Sequence, residues 1–321
     1  MRVAVLGGGI SSEHEVSLSS AASVAAGLRE AGHETVEVTI SREGRWTAGG
    51  ELVEFEPGEG LLGSDAVFPV LHGPGGEDGS VQGLLEVLDV PYAGSDVESS
   101  AICMDKLVFK DLLSQHEIPQ VGYCRAGEDG WREIVAGFGQ PVWVKPARLG
   151  SSVGIAPASG ADEIDRAVEA ARRHDPRVII EAPAPGKEVE CSLLGNDDPV
   201  ASPPGEIVTK GSDWYDYEAK YGEGGMELRV PAEISDGARE RVRELARRVF
   251  TLCGCSGLAR CDFFVDGEVV LVNELNTIPG FTETSVYGKL FEADGIAYPE
   301  LCSRLVELAI ERYRTARSYE F

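Results

Sequence analysis

The sequence predicts an α/β fold that opens on a parallel sheet and continues into two mixed units. Three observations predict it. Residues 1–40 alternate strand, glycine turn, helix and strand; a second strand at 65–71 passes through a glycine-rich loop into an amphipathic helix; and beyond Ala93-Gly94-Ser95 the order of elements changes. The 321 residues suffice for two or three packed units with a substantial core.

Arg2-Val3-Ala4-Val5-Leu6 reads as a buried first strand. It reaches Gly7 after four apolar residues, too few for a secretory signal, so a cytoplasmic location is expected. GGGISSEHEVS then turns the chain, a helical pattern runs through Leu28, and TVEVTI alternates as the next strand, which makes a βαβ unit. DAVFPVL leads by way of HGPGGEDG into SVQGLLEVLDV, whose apolar spacing suits a helix on a parallel sheet. Residues 1–98 are expected to form this N-terminal α/β domain. A helix near 98–116 then precedes the strands PVWVKPA and RVIIEAP, separated by the helix ADEIDRAVEAARRH, giving a small α+β domain over 99–187. From 188 to 321 come the strands EVECSLLG and EIVTK, the helix DGARERVRELARRVFTLCG, a hairpin over 257–275 and the terminal helix YPELCSRLVELAIERY.

Composition narrows the function classes. A 43% hydrophobic and 26% charged chain is ordinary for a globular protein, and no run of about 18 apolar residues is present to span a bilayer. The seven cysteines form an odd set, and the close pair Cys253 and Cys255 lacks partners at zinc-site spacing, so reduced thiols are expected. With 54 acidic against 29 basic side chains, the formal charge of −25 opposes contact with phosphate backbones or anionic lipid. Neither nucleic acid nor a membrane is expected as a partner. A solvated acidic surface accounts for the charge and carries no mechanism.

The most informative stretch is GLARCDFFVDGEVVLVNELNTIPGF, residues 257–281. Arg260, Asp262, Glu274 and Asn276 are polar at period-two spacing within an apolar hairpin, so each strand presents two polar groups on one face. Hard oxygen donors of this kind suit magnesium. Loop parity matters here. A two-residue Asp266-Gly267 turn would put Asp262 and Glu274 on opposite faces, whereas a three-residue Val265-Asp266-Gly267 loop with a bulge would restore a shared face. The bland alternative is a solvent-facing hairpin, against which stand the apolar opposite face and the Pro279-Gly280 loop.

VKPARLGSSVGI (144–155) sets Lys145 on a strand before a loop containing Gly150, Ser151, Ser152 and Gly154. A lysine can meet a phosphate as a point charge, and glycines let backbone N–H groups approach its oxygens. By itself such a loop is equally a surface turn. Met104-Asp105-Lys106 opens a helix with a second lysine, and Glu181 ends the strand VIIE, where it could accept hydrogen bonds from a nucleotide. Each is commonplace alone and gains weight only in the set. The N-terminal glycines are consecutive and lack G-x-G-x-x-G spacing, which disfavours a nicotinamide dinucleotide. Glu13 and His14 sit where the first strand becomes a helix, the crevice position at which α/β sheets bind ligands, and a carboxylate there could hold an ammonium. His72 lies on a second strand-to-helix passage at the same sheet edge. Helix capping and a satisfied histidine are the bland alternatives for these two.

Together the strings GGISSEHEVSLSSA, LHGPGGEDGSVQG, MDKLVFK, VKPARLGSSVG, YDYEAKY, RCDFF and NELNTIPGFT resemble the D-alanine:D-alanine ligase family of the ATP-grasp superfamily, in order and from end to end. The resemblance implies a three-domain ATP-grasp architecture with an N-terminal parallel-sheet (pre-ATP-grasp) domain, and ATP gripped between the other two. It implies ATP-dependent joining of two D-alanines through a D-alanyl phosphate, for peptidoglycan precursor synthesis. D-serine or D-lactate as second substrate, or another carboxylate–amine pair, is the alternative. Asp262, Glu274 and Asn276 would bind two magnesium ions, for which manganese could substitute. Lys106, Lys145 and Lys220 would contact phosphates together with the Ser151-Ser152 loop, and Glu181 and Glu188 would hold adenine or ribose. Arg260 and the Gly280 N–H would stabilise the oxyanion, and Ser285 and Arg260 would hold carboxylates. Glu13 would hold the first ammonium, with Ser151 and Tyr221 joined to it in a triad, and His72 would lie near the second substrate. Tyr221 favours the dipeptide over a depsipeptide. Ala182 and Pro183 stand where the family carries bulk beside adenine, which implies a looser or differently shaped base pocket. Small-molecule substrates and a homodimer complete the expectation.

Overall fold

The structure is a computed structural model describing residues 1–209 and 226–320. It is built on three sheets. The first takes β1 (Arg2–Gly8), α1 (His14–Glu30), β2 (Glu34–Ile40), β3 (Trp46–Ala48), β4 (Glu51–Leu52), β5 (Ala66–Pro69) and α2 (Ser80–Val87). Its strand order is β4-β3-β2-β1-β5, with β1 parallel to both β2 and β5. Val3, Ala4, Val5 and Leu6 are all buried, as a central parallel strand covered on both faces requires. The expected βαβ opening is therefore present.

The second sheet follows α3 (Val97–Met104) and α4 (Lys106–Gln115) and contains β6 (Tyr123–Arg125), α5 (Trp131–Ala136), β7 (Val142–Pro146), β8 (Ala156–Ala158), α6 (Gly160–Arg172) and β9 (Val178–Glu181). Its order is β6-β9-β7-β8, all antiparallel. The single helix expected near 98–116 is in fact two. Asp105 leaves helical geometry at φ −90° and ψ 99°, and its carboxylate accepts the N–H groups of Leu107 and Val108. An aspartate that can cap a new helix competes with the old one, and here the cap wins. Along β7, Val142 and Val144 point into the core while Trp143 and Lys145 share the other face.

The third sheet contains β10 (Lys187–Gly195), β11 (Val200–Ala201), β12 (Gly205–Thr209), β13 (Met226–Arg229), α7 (Asp236–Leu252), β14 (Gly257–Asp266) and β15 (Val269–Asn276), followed by α8 (Val286–Ala293) and α9 (Tyr298–Ala316). The order is β13-β12-β10-β14-β15, with β11 added on β10. Ala238, Val242, Leu245, Ala246 and Val249 recur at helical spacing and seat α7 on this sheet. The last helix does not stay there. One core cluster joins Val5, Val24, Leu28 and Phe68 of the first unit to Phe281, Tyr287, Leu301 and Leu305. Gly27 lets α9 come this close to α1, since a Cβ there would lie 2.9 Å from Tyr298 Cε1 and 3.1 Å from Cys302 Sγ. All seven cysteines are buried and unbridged. Among the described residues no helix is long and apolar enough to cross a membrane.

Candidate functional site

The hairpin settles its own parity. Asp266 pairs with Val269, so the turn is the two-residue Gly267-Glu268, with Gly267 at φ +58°. This replaces the expected three-residue loop. The register then shifts between Asp262 and Phe263: Phe263 faces Val272, but Asp262 faces Glu274 and Arg260 faces Asn276. The bulge thus lies at Asn273 and not at the turn, and it brings Asn273 and Glu274 together onto the same cleft. The four polar residues do share a face.

The neighbouring strand adds a group that sequence reasoning passed over. Glu190 on β10 is the register partner of Asp262, so Glu190, Asp262 and Glu274 form a row across three strands. Carboxylates in facing positions repel unless cations intervene. Arg260 bridges the first two: it donates to Asp262 through Nε and Nη2, each at 2.7 Å, and its Nε lies 3.0 Å from Glu190 Oε2. Asn276 Nδ2 also donates to Asp262, at 3.0 Å, and Lys106 Nζ lies 3.6 Å from Glu274 Oε2. Asp262, Glu274 and the Asn276 carbonyl form a hard oxygen set that fits magnesium. Among the described residues no group of three His, Cys, Asp or Glu side chains is placed to hold a metal ion by itself. A magnesium site with two carboxylates is completed by water and substrate phosphate, which matches this open arrangement.

Facing this row across a cleft of about 280 Å³ is the second sheet. Lys145 Nζ lies 2.5 Å from Glu181 Oε2, and Lys110 Nζ lies 3.2 Å from Oε1 of the same carboxylate. Burial alone would raise the Glu181 pKa, but the two ammonium groups overcome it and hold the carboxyl at about 2. Burial opposes the charge on Lys145 as well, yet Glu181 keeps its pKa above the ordinary lysine value. Glu188 lines the opposite wall of the cleft. Ala182 lines it too, while Pro183 packs toward Gly139; Val121, Trp143 and Phe264 supply apolar surface.

A loop joins the cleft to the first sheet. Lys106 Nζ donates to the Leu149 carbonyl at 2.8 Å, and Ser151 and Ser152 both hold positive φ, at 49° and 59°. Non-glycine residues pay a steric cost there that surrounding contacts must offset. One such contact is the hydrogen bond that Ser151 Oγ donates to Glu13. Glu13 is buried at the start of α1. Glu77, unnoticed in the sequence, accepts the Gly73 N–H at 2.8 Å; its burial and the nearby Glu13 charge raise its carboxyl to about 8. Glu77, Gly150, Lys106, Glu274 and Asn276 line a smaller pocket continuous with these groups.

His72 is buried, with Nδ1 3.0 Å from the Ile278 carbonyl and Nε2 3.4 Å from Ser20 Oγ. Only a protonated Nδ1 can serve a carbonyl, so Nε2 accepts from Ser20. Desolvation lowers its pKa and keeps the ring neutral. The histidine therefore fastens the loop that carries Gly280. On that loop Ser285 Oγ accepts the Thr282 N–H at 2.9 Å and lies beside Gly280. Glu13, His72, Lys106, Lys145, Ser151, Ser152, Glu181, Glu188, Arg260, Asp262, Glu274, Asn276, Gly280 and Ser285 are all in described regions, and the contacts above connect nearly all of them. Lys220 and Tyr221 lie outside the described residues. The signal for Glu190 was its period-two spacing from Glu188; for Lys110 it was a lysine on the apolar face of α4, between Leu107 and Leu113.

Comparison with known proteins gives matches along nearly the whole chain. Residues 112–307 match the family model described as D-ala D-ala ligase C-terminus, and residues 2–60 and 48–95 match that described as D-ala D-ala ligase N-terminus. The chain is similar to the D-alanine--D-alanine ligase of Deinococcus radiodurans, 47% identical over 97% of this chain and 98% of the relative. It is also similar to that of Caldicellulosiruptor bescii, 39% identical over 100% and 98%. Among solved structures it resembles the D-alanine-D-alanine ligase from Coxiella burnetii, with a TM-score of 0.89 and 34% identity over 99% of this chain and 96% of that one. The VanG D-Ala:D-Ser ligase from Enterococcus faecalis gives 0.86 and 33%, over 96% and 99%.

Proposed function

The chain belongs to the D-alanine:D-alanine ligase family, and on that premise we propose that it joins two D-alanines at the cleft between its second and third sheets, consuming ATP. One observation carries the reading: a row of oxygen donors on the β14–β15 hairpin faces a lysine–glutamate pocket across a cleft. Phosphoryl transfer needs that pairing, because the protein must neutralise phosphate charge and position an in-line attack.

Glu181 and Glu188 hold the base or ribose, and Lys106, Lys145 and Lys220 meet the phosphates with the Ser151-Ser152 loop. Asp262, Glu274 and Asn276 would hold magnesium, which when bound would supply positive charge to neutralise the nucleotide's phosphates. The first D-alanine places its ammonium on Glu13 and presents its carboxylate to the γ-phosphate. Its oxygen forms a bond to phosphorus as the bond to the β-bridging oxygen breaks, leaving D-alanyl phosphate and ADP. The second D-alanine, its carboxylate held by Ser285 and Arg260, passes an ammonium proton to an oxygen of the acyl phosphate, and the freed amine attacks the acyl carbon. Arg260 and the Gly280 N–H stabilise the oxyanion that develops, and phosphate departs as the dipeptide forms. Ser151 bonded to Glu13, with Tyr221 as third member, keeps the loop over the acyl phosphate and water out. His72 serves by fixing the Ile278–Gly280 segment.

Domain limits of 1–98, 99–187 and 188–321, and a homodimer in the cytoplasm, where peptidoglycan precursors are made, complete the proposal. The test is phosphate release and product mass with ATP and magnesium across D-alanine, D-serine, D-lactate and L-alanine. D-alanyl-D-alanine as the dominant product is expected. A dominant D-alanyl-D-serine or D-alanyl-D-lactate would transfer the assignment to the neighbouring specificity, and no amino-acid-dependent phosphate release would end it.

A further inference from the structure

The Glu181 carboxylate has two cationic partners with different surroundings. Lys145 is 12% exposed and lines the cleft, so its ammonium can turn from Glu181 toward an occupant. Lys110 is 1% exposed and, unlike Lys145 and Glu181, does not line the cleft. Its Nζ is 5.9 Å from the centre of the Tyr123 ring, and its carbonyl accepts from Gln120 Nε2 at 2.9 Å, which anchors the residue within α4. Lys106 and Lys110 are one helical turn apart, so a single helix sends one lysine to the Glu274 end of the cleft and the other to the Glu181 end.

Charge accounting gives this arrangement a purpose. With Lys145 as its sole partner, Glu181 would be stranded as a buried anion whenever that lysine moved to a phosphate. Stranding a buried charge is strongly unfavourable, so the pair would stay locked. With Lys110 beneath it, Glu181 remains neutralised after Lys145 departs. We infer that Lys110 is a positioning residue, the standing counter-ion of Glu181, which frees Lys145 for the phosphates of the nucleotide. The inference rests on the nucleotide reading of the cleft given above.

The experiment measures ADP affinity in the presence of magnesium by calorimetry, with ATP and D-alanine kinetics alongside, for wild type, Lys110→Met, Glu181→Gln and the double variant. Lys110→Met should weaken ADP binding by about tenfold or more and raise the KM for ATP in step, while the KM for D-alanine moves by less than about twofold. In the Glu181→Gln background no anion needs the counter-ion, so adding Lys110→Met should change ADP affinity by less than about twofold. That second comparison separates a counter-ion from a residue needed merely for packing, and it decides the matter even if Lys110→Met alone does not fold. Wild-type affinity in Lys110→Met, or an equal loss in both backgrounds, overturns the inference. Wild-type protein that binds no ADP overturns the nucleotide reading instead.

Discussion

Arg260 works at two levels. It already holds Asp262 and Glu190 together, and in the proposed mechanism it receives the developing oxyanion. Arg260→Ala should therefore lower kcat by about 10²–10³, the usual effect of removing one oxyanion donor, with the circular dichroism spectrum retained. Glu181 makes a different prediction. Its folded-state pKa of about 2 lies below the ordinary 4.5, so its ionised form contributes stability that is present above about pH 4.5 and lost as pH falls toward 2. The depression corresponds to about 3 kcal/mol at neutral pH. Glu181→Gln should accordingly be less stable than wild type at pH 7, and urea midpoints of the two should stay apart down to about pH 4.5 and draw together as pH falls toward 2. Convergence in the opposite direction would mean that Lys110 and Lys145 do not hold the carboxylate as described.

The caps and bulges that aim these residues belong to the elements. Asp105 starts α4 and thereby points Lys106 at Leu149 and Glu274. Replacing Asp105 by alanine should cost about 0.5–2 kcal/mol through the cap alone and raise the KM for ATP, read from denaturation curves and steady-state kinetics. Much of this scale was legible in the sequence. Period-two spacing put Arg260, Asp262, Glu274 and Asn276 on strands, and parity reasoning required an irregularity to bring the two strands' polar pairs to one face. The position of that irregularity was not legible. Both a bulged turn and a bulge within β15 satisfy parity, and the choice depends on strand packing that no local pattern records. The break at Asp105 was readable in principle, because aspartate before a fresh apolar repeat signals an N-cap. Lys110 and Glu190 each left a local signal, a lysine on an apolar helix face and a glutamate two residues from Glu188, but their role depends on partners remote in sequence, Glu181 and Arg260, which that signal does not name.

At the scale of the whole molecule, the first and third sheets are joined through the return of the final helix. The α1–α9 contact tolerates no side chain at position 27, where even a Cβ would meet Tyr298 and Cys302. Gly27→Val should force the helices apart and lower stability by about 1–3 kcal/mol, the usual range for an overpacked core, measured as a fall in thermal midpoint. The Ile278–Gly280 loop shares this connection, since Phe281 sits in the same core and His72 holds Ile278 from the first unit. The Gly27→Val variant should thus lose activity as well as stability.

That return also sets a timetable for the molecule's birth. Val5, Val24, Leu28 and Phe68 are synthesised long before their covering partners Leu301, Leu305 and Val306. Contacts of such long sequence separation form late. Until α9 has been made, the outer side of α1 and its neighbours lacks this cover, and a nascent chain arrested before residue 298 should bind a hydrophobic dye or a chaperone that the finished protein ignores.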